Sequence, residues 1–177
     1  MTAFTVIGGP SSELLAKRIA SRLKSKFVGC ELRVFPDGES KITLKDKPEG
    51  KTIVVQSIYP PVDSNLIRSL AIVSQARSCS SQVYAVIPYM GYARQDRQFL
   101  PGEIITMELV AKMFKAAGGT KIIVVDIHSV TALKHLQIPA KNVSAVEELV
   151  KYFKKLSLNN PLVVSPDKGG MERARNF

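Results

Sequence analysis

Residues 85–103 read AVIPYMGYARQDRQFLPGE, and the fold turns on how this stretch is parsed. The apolar run Val83–Ile87 that leads into it predicts a buried strand. Pro88 closes that strand, because proline has no N–H to give to a ladder. The residues behind it suit an anion or a flat ring. Tyr89 and Tyr92 offer aromatic faces, Arg94 and Arg97 offer guanidinium forks for phosphate oxygens, and Gln95 can read a base edge. Gly91 and Gly102 let the loop bend, and Glu103 places a carboxylate where a helix is expected to begin. A long polar loop leaving the C-terminal end of a buried strand is where open α/β sheets hold ligands. A solvated surface loop has the same composition, so spacing alone leaves both readings open.

Outward from this stretch, apolar runs alternate with helical periodicity. Residues 3–8, Lys26–Val34, Ser40–Leu44, Thr52–Ile58, Lys121–Ile127 and Pro161–Ser165 read as further strands. Helices are expected over Glu13–Lys24, with Leu15, Ile19 and Leu23 inward, and over Asp63–Arg77, capped by Asp63, with Leu66, Ile67, Leu70, Val73 and Ala76 inward. Two more are expected over Glu103–Ala117, with Ile105, Leu109, Met113 and Ala116 inward, and over Val143–Leu156, with Val146, Leu149, Val150 and Phe153 inward. Gly118 and Gly119 end the former. A helical turn is expected at Thr131–Leu136, where His135 is read as structural, and another helix opens at Gly169 and Gly170. Phe35–Glu39, FPDGE, reads as a tight turn joining two strands into a hairpin. This pattern predicts an α/β fold, a doubly wound parallel sheet with an edge hairpin. Arg94, His128 and Asp167 each follow a predicted strand end, so the pattern lets them share one rim.

The chain has 177 residues, enough for one domain or one domain and part of another. Hydrophobic residues make up 45% and charged residues 23%, and no apolar run approaches the roughly 18 residues of a membrane span. The N-terminus has no basic segment ahead of its apolar part, so a secretory signal is not expected and a cytoplasmic location is. Cys30 and Cys79 lack metal-site spacing and read as inert, partly buried thiols. The formal charge of +10 suits nucleic acid or a small polyanion.

PYMGYARQDR closely resembles the nucleotide-binding loop of ribose-phosphate pyrophosphokinases, the phosphoribosyl pyrophosphate synthetases. FPDGE, VDIH at Val125–His128 and SPDKGGMERAR at Ser165–Arg175 resemble the same family, in the same order along the chain. The resemblance implies a phosphoribosyltransferase-like fold in two similar domains, with residues 1–141 forming the N-terminal one and 142–177 the truncated start of the second. It implies transfer of the diphosphoryl group of ATP to the C1 hydroxyl of ribose 5-phosphate, giving phosphoribosyl pyrophosphate and AMP, with Mg2+ as cofactor. Phe35, Asp37 and Glu39 then match the adenosine-binding hairpin, and Arg94 and Gln95 the ATP-binding pair. His128 and Asp167 match positions at the magnesium and phosphate site, with Asp126 and Arg97 as secondary candidates. Imidazole is an unusual magnesium ligand, so a hydrogen bond from His128 to phosphate is an equal reading. The family also implies a homo-oligomer in which the hairpin of one copy completes the ATP site of another. SVTALKHL, after VDIH, departs from the Gln- and Phe-rich bacterial version and is closer to archaeal members. The family's catalytic Lys and Arg and its sugar-phosphate loop are expected beyond Phe177, which implies a chain inactive alone. Two other readings are a non-catalytic subunit associated with the synthetase and a basic nucleic-acid-binding domain, although no RNA- or DNA-binding motif accompanies the charge.

Overall fold

A computed structural model describes residues 4–175 and 177. The chain forms two compact units, one ending at Asn142 and one running from Val143.

The first unit is built on a seven-stranded sheet of order β3-β2-β1-β4-β5-β6-β7. Its strands are β1 (Phe4–Gly8), β2 (Lys26–Val34), β3 (Ser40–Leu44), β4 (Lys51–Val55), β5 (Val83–Ile87), β6 (Lys121–Val125) and β7 (Ala140–Val143). β2, β1, β4, β5 and β6 pair in parallel, and β3 runs antiparallel to β2 as the edge hairpin. This is the doubly wound sheet that alternating strands and helices dictate, since parallel neighbours require a crossover. The central strands are predominantly apolar because both faces are covered: Val6, Ile7, Val54, Val55, Ala85 and Val124 have no exposed surface. β7 has no counterpart among the expected strands, because AKNV carries little apolar content to announce it.

α1 (Glu13–Leu23), α2 (Val62–Cys79) and α3 (Thr106–Ala116) cover the sheet. Their buried faces differ from the expected ones in an instructive way. α1 buries Ala16 and Ala20 and leaves Leu15 and Leu23 partly exposed. It lies close over β1, where only small side chains fit between helix and sheet. α2 buries Leu66, Ile72, Val73 and Ala76 with Asn65 and Ser69, while Ile67 is exposed. α3 buries Met107, Val110, Ala111 and Phe114, and Leu109 faces out. Its first helical residue is Thr106 and not Glu103, whose carboxylate is engaged elsewhere. Asp63 is likewise no cap: α2 starts at Val62, behind Pro61, and Asp63 stands in its first turn. β4 ends at Val55; just past it Gln56 is fully buried, its side-chain oxygen accepting from Ser11 N and its Nε2 donating to Asn65 Oδ1.

Cys30 and Cys79 are free and half-buried, and burial pushes the Cys30 thiol up to about 11, which keeps it protonated and unreactive.

The second unit contains α4 (Val146–Lys154), a 3-10 turn at Lys168–Gly170 and α5 (Met171–Arg175). The strand expected over Pro161–Ser165 is not formed. Leu162 and Val164 are 85% and 72% exposed, and among the described residues no neighbouring strand takes their backbone hydrogen bonds.

Candidate functional site

The loop between β5 and α3 is anchored by buried residues. Met90, Ala93 and Asp96 are buried and act as its roots, while Tyr89, Arg94, Gln95 and Arg97 point outward from between them. Gly91 is required by close approach: a Cβ there would lie 2.7 Å from Ile58 Cγ2 and 2.9 Å from Val62 Cγ1. Tyr92 takes φ 64, a left-handed conformation that costs a non-glycine residue about 1 kcal/mol. Two contacts offset that cost. Gln95 N donates to Tyr92 O at 2.9 Å, and the Tyr92 hydroxyl donates to the Asp63 carboxylate, a bond that holds the phenol above its usual range. Ile58 N donates to Tyr89 O at 2.9 Å, and the Tyr59 and Tyr89 rings meet edge to face at 5.5 Å.

The outer part of the loop folds on itself. Glu103 Oε2 accepts from Phe99 N at 2.8 Å and Leu100 N at 3.2 Å, and the Arg97 guanidinium lies 4.9 Å above the Phe99 ring. Arg94 is exposed, and no ion pair engages it among the described residues. Its charge is therefore available to a ligand.

The next strand brings the second group. β6 pairs with β5 in parallel, so the segment after β6 rises at the same end of the sheet as Arg94 and Gln95. His128 is exposed there, Asp126 sits at its base with φ 40, and Ile127 N is fixed by Asn142 Oδ1 at 3.0 Å. Topology thus brings Arg94, Gln95, Asp126 and His128 to one rim. His135 Nε2 lies 2.6 Å from Asp96 O, so its expected structural role fits its contact. Asp96 and Ser129, joined Oγ to Oδ2 at 2.6 Å, escaped sequence reasoning, because nothing local pairs residues 33 positions apart.

The hairpin stands apart. Phe35 N donates to Glu39 O at 2.8 Å, Gly38 N to Phe35 O at 2.9 Å and Glu39 N to Asp37 Oδ1 at 3.1 Å, while Gly38 supplies φ +95. This is the tight turn that FPDGE dictates. The Arg33 guanidinium lies 5.0 Å from the Phe35 ring and covers one of its faces. β2 ends at the same end of the sheet as β5, but β1 and β4 lie between them, which is about 14 Å across the strands. Only Lys26–Gly29 of β2 pair with β1, so the ribbon from Cys30 onward projects past the sheet. Phe35, Asp37 and Glu39 are therefore not gathered with Arg94 in this chain. Asp167 belongs to the second unit and follows no strand, contrary to expectation. Its carboxylate accepts from Gly170 N at 2.9 Å and caps the 3-10 turn.

A doubly wound parallel sheet with a cationic, partly aromatic loop at its C-terminal rim places the chain among the α/β proteins whose ligand sites lie at that rim. Residues 4–118 match the family described as the N-terminal domain of ribose phosphate pyrophosphokinase. The chain belongs to the ribose-phosphate pyrophosphokinase family. It is 38% identical to the ribose-phosphate pyrophosphokinase of Methanopyrus kandleri over 91% of this chain and 56% of the relative. It is 36% identical to that of Aquifex aeolicus over 100% of this chain and 58% of the relative. The crystal structure of phosphoribosylpyrophosphate synthetase from Mycobacterium smegmatis superposes with a TM-score of 0.85 at 27% identity, covering 98% of this chain and 59% of that one. The chain thus spans a little under three fifths of the relatives it matches.

Proposed function

We propose that this chain carries the ATP-binding part of a ribose-phosphate pyrophosphokinase, which moves the diphosphoryl group of ATP onto the C1 hydroxyl of ribose 5-phosphate. The observation that carries the proposal is the placement of exposed Arg94 and Gln95, on a loop rooted by buried residues, at the same sheet end as His128, which follows the adjacent parallel strand. Phosphoryl transfer needs in-line alignment and charge neutralisation more than covalent chemistry. Arg94 supplies a planar cation for the phosphates, Gln95 a neutral donor and acceptor beside it, and His128 a ring N–H for a phosphate oxygen. The rooting of the loop fixes these groups before the ligand arrives, which lowers the ordering cost of binding.

Magnesium, when bound, neutralises phosphate charge and orients the transferring group. Among the described residues no cluster of three or more His, Cys, Asp or Glu is gathered to cage a metal. Magnesium is commonly held by one or two carboxylates together with substrate phosphates and water, so isolated carboxylates are compatible with it. Asp126 is the carboxylate candidate of the first unit and Asp167 that of the second, each taken within its own unit, and His128 suits phosphate better than the metal. The hairpin residues Phe35, Asp37 and Glu39 serve the adenosine of a second copy in a homo-oligomer, since their distance across the sheet argues against service in their own chain. The Phe35 ring stacks on the base, and the carboxylates accept from its amino group or the ribose. The catalytic Lys and Arg and the ribose 5-phosphate cradle lie in the part of the family's length that this chain does not span. A cytoplasmic location accords with such chemistry.

The test is calorimetric titration of the chain with Mg-ATP. The expected result is saturable binding that Arg94→Ala weakens at least about tenfold, the loss typical of a charge-assisted bond. An absence of binding to the wild type would sink the proposal and favour a non-catalytic subunit. Salt-steep binding of mixed-sequence RNA instead would favour the nucleic-acid reading.

A further inference from the structure

Asp96 is the one acid among the buried residues of the first unit, at 4% exposed, and neither substrate chemistry nor an ion pair among the described residues accounts for it. A carboxylate is kept out of water only where hydrogen bonds replace its hydration. Here both ends of the residue are engaged, and by the same segment. Ser129 Oγ donates to Asp96 Oδ2 at 2.6 Å, and His135 Nε2 lies 2.6 Å from Asp96 O. Ser129 and His135 bracket the 3-10 turn Val130–His135, whose Ala132 is fully buried. Asp96 therefore bolts the β5–α3 loop to the β6 segment at two points. Its chain neighbours Gln95 and Arg97 lie on one side of the bolt, and His128, next to Ser129, lies on the other.

We infer that Asp96 is a positioning residue that sets the spacing between the Arg94–Gln95 pair and His128, with Ser129 and His135 as its two anchors. The inference rests on the nucleotide reading of that rim. Neither anchor touches the ligand in this scheme. They act because two loops from different strands otherwise have independent freedom, and a ligand bridging both must then supply their ordering. The short Ser129–Asp96 distance is that of a hydroxyl on a charged acceptor, the stronger kind of hydrogen bond. The carbonyl on the other side forces His135 to present Nε2–H, which assigns its tautomer.

The experiment measures Mg-ATP affinity by calorimetry for the wild-type chain and for Ser129→Ala, Ser129→Thr, His135→Ala and His135→Gln. Ser129 has φ -133 and ψ 127, extended backbone that threonine adopts readily, so Ser129→Thr keeps the hydroxyl without strain. Glutamine at 135 keeps an N–H donor for Asp96 O. The expected result is a loss of about tenfold in Ser129→Ala, the effect of one bond to a charged group, with Ser129→Thr within about twofold of wild type. His135→Ala should follow Ser129→Ala, and His135→Gln should recover most of the loss. A double-mutant cycle separates positioning from general damage: Arg94→Ala and His128→Ala are coupled in the wild type and become additive in the Ser129→Ala background. Wild-type affinity in both alanine variants overturns the bolt, as does an equal loss in Ser129→Thr and Ser129→Ala. Should Ser129→Ala fail to fold, the His135 pair decides the matter alone. A wild-type chain that does not bind Mg-ATP instead overturns the nucleotide reading on which the bolt depends.

Discussion

The two units of the chain obey the same local grammar and reach different ends. In the first, the apolar strand Val83–Ile87 lies between two parallel neighbours, and its inward residues lose all exposure. In the second, Leu162–Val164 is as rich in branched apolar residues, yet it forms no strand and faces solvent. α3 buries Phe114 completely, whereas α4 leaves Leu149 and Phe153 at 46% and 41% exposed. Periodicity selects which face of an element is apolar. Whether that face becomes core depends on a second layer.

The widest expected gap between the units is in amide exchange. β5 amides, held in ladders on both sides, should open only with global unfolding, while those of residues 162–164 should exchange almost freely. The difference is at least about a thousandfold for a domain of ordinary stability, readable by mass spectrometry after deuterium labelling. Comparable rates would mean that the second unit has a partner layer of its own. A sharper test uses matched truncations. Phe114→Ala should cost about 3–5 kcal/mol in urea denaturation, because it empties a fully enclosed site. Phe153→Ala should cost under about 1 kcal/mol. Equal losses would erase the distinction between the two helices. The smallest contrast is between glycines. Gly91→Ala drives a methyl into Ile58 and Val62 and should cost about 1–3 kcal/mol by the same measurement. Gly169→Ala, whose added Cβ meets only Asp167 Oδ1 at 3.3 Å, should stay within about 0.5 kcal/mol.

Much of the first unit was legible because its information is local. VYAVI and KIIVV are unambiguous buried strands, and FPDGE carries its own turn chemistry in Asp37 and Gly38. What was hidden depends on contacts distant in sequence. The face of α1 was hidden because hydrophobicity ranks leucine above alanine, whereas a helix pressed on a sheet selects for small side chains; α3 carries apolar residues on two stripes, and only packing shows that Met107, Val110 and Phe114 face in. Glu103 has the composition of a helix start, but the unpaired N–H groups of Phe99 and Leu100 claim it first. Asp63 was misread for the same reason, since its carboxylate is taken by Tyr92. Within the site, the polar residues of PYMGYARQDR could be named as ligand groups from type and order alone. Asp96, in the middle of that string, reads like any of them. Only the placement of Ser129 and His135 shows that it faces inward. The placement of Asp167 was inferred from a strand that does not form.

The two margins of the sheet carry a consequence for association. β3 and β7 are its edge strands, five and four residues long, and each holds an exposed lysine, Lys41 and Lys141. A strand arriving from another molecule would find a short template and would bring its own chain against an ammonium group. Sheet-to-sheet growth, the route to fibrous aggregates, is thereby disfavoured at both margins. The margins thus act against open-ended strand addition and leave side-chain surfaces as the better-suited faces for contact between copies.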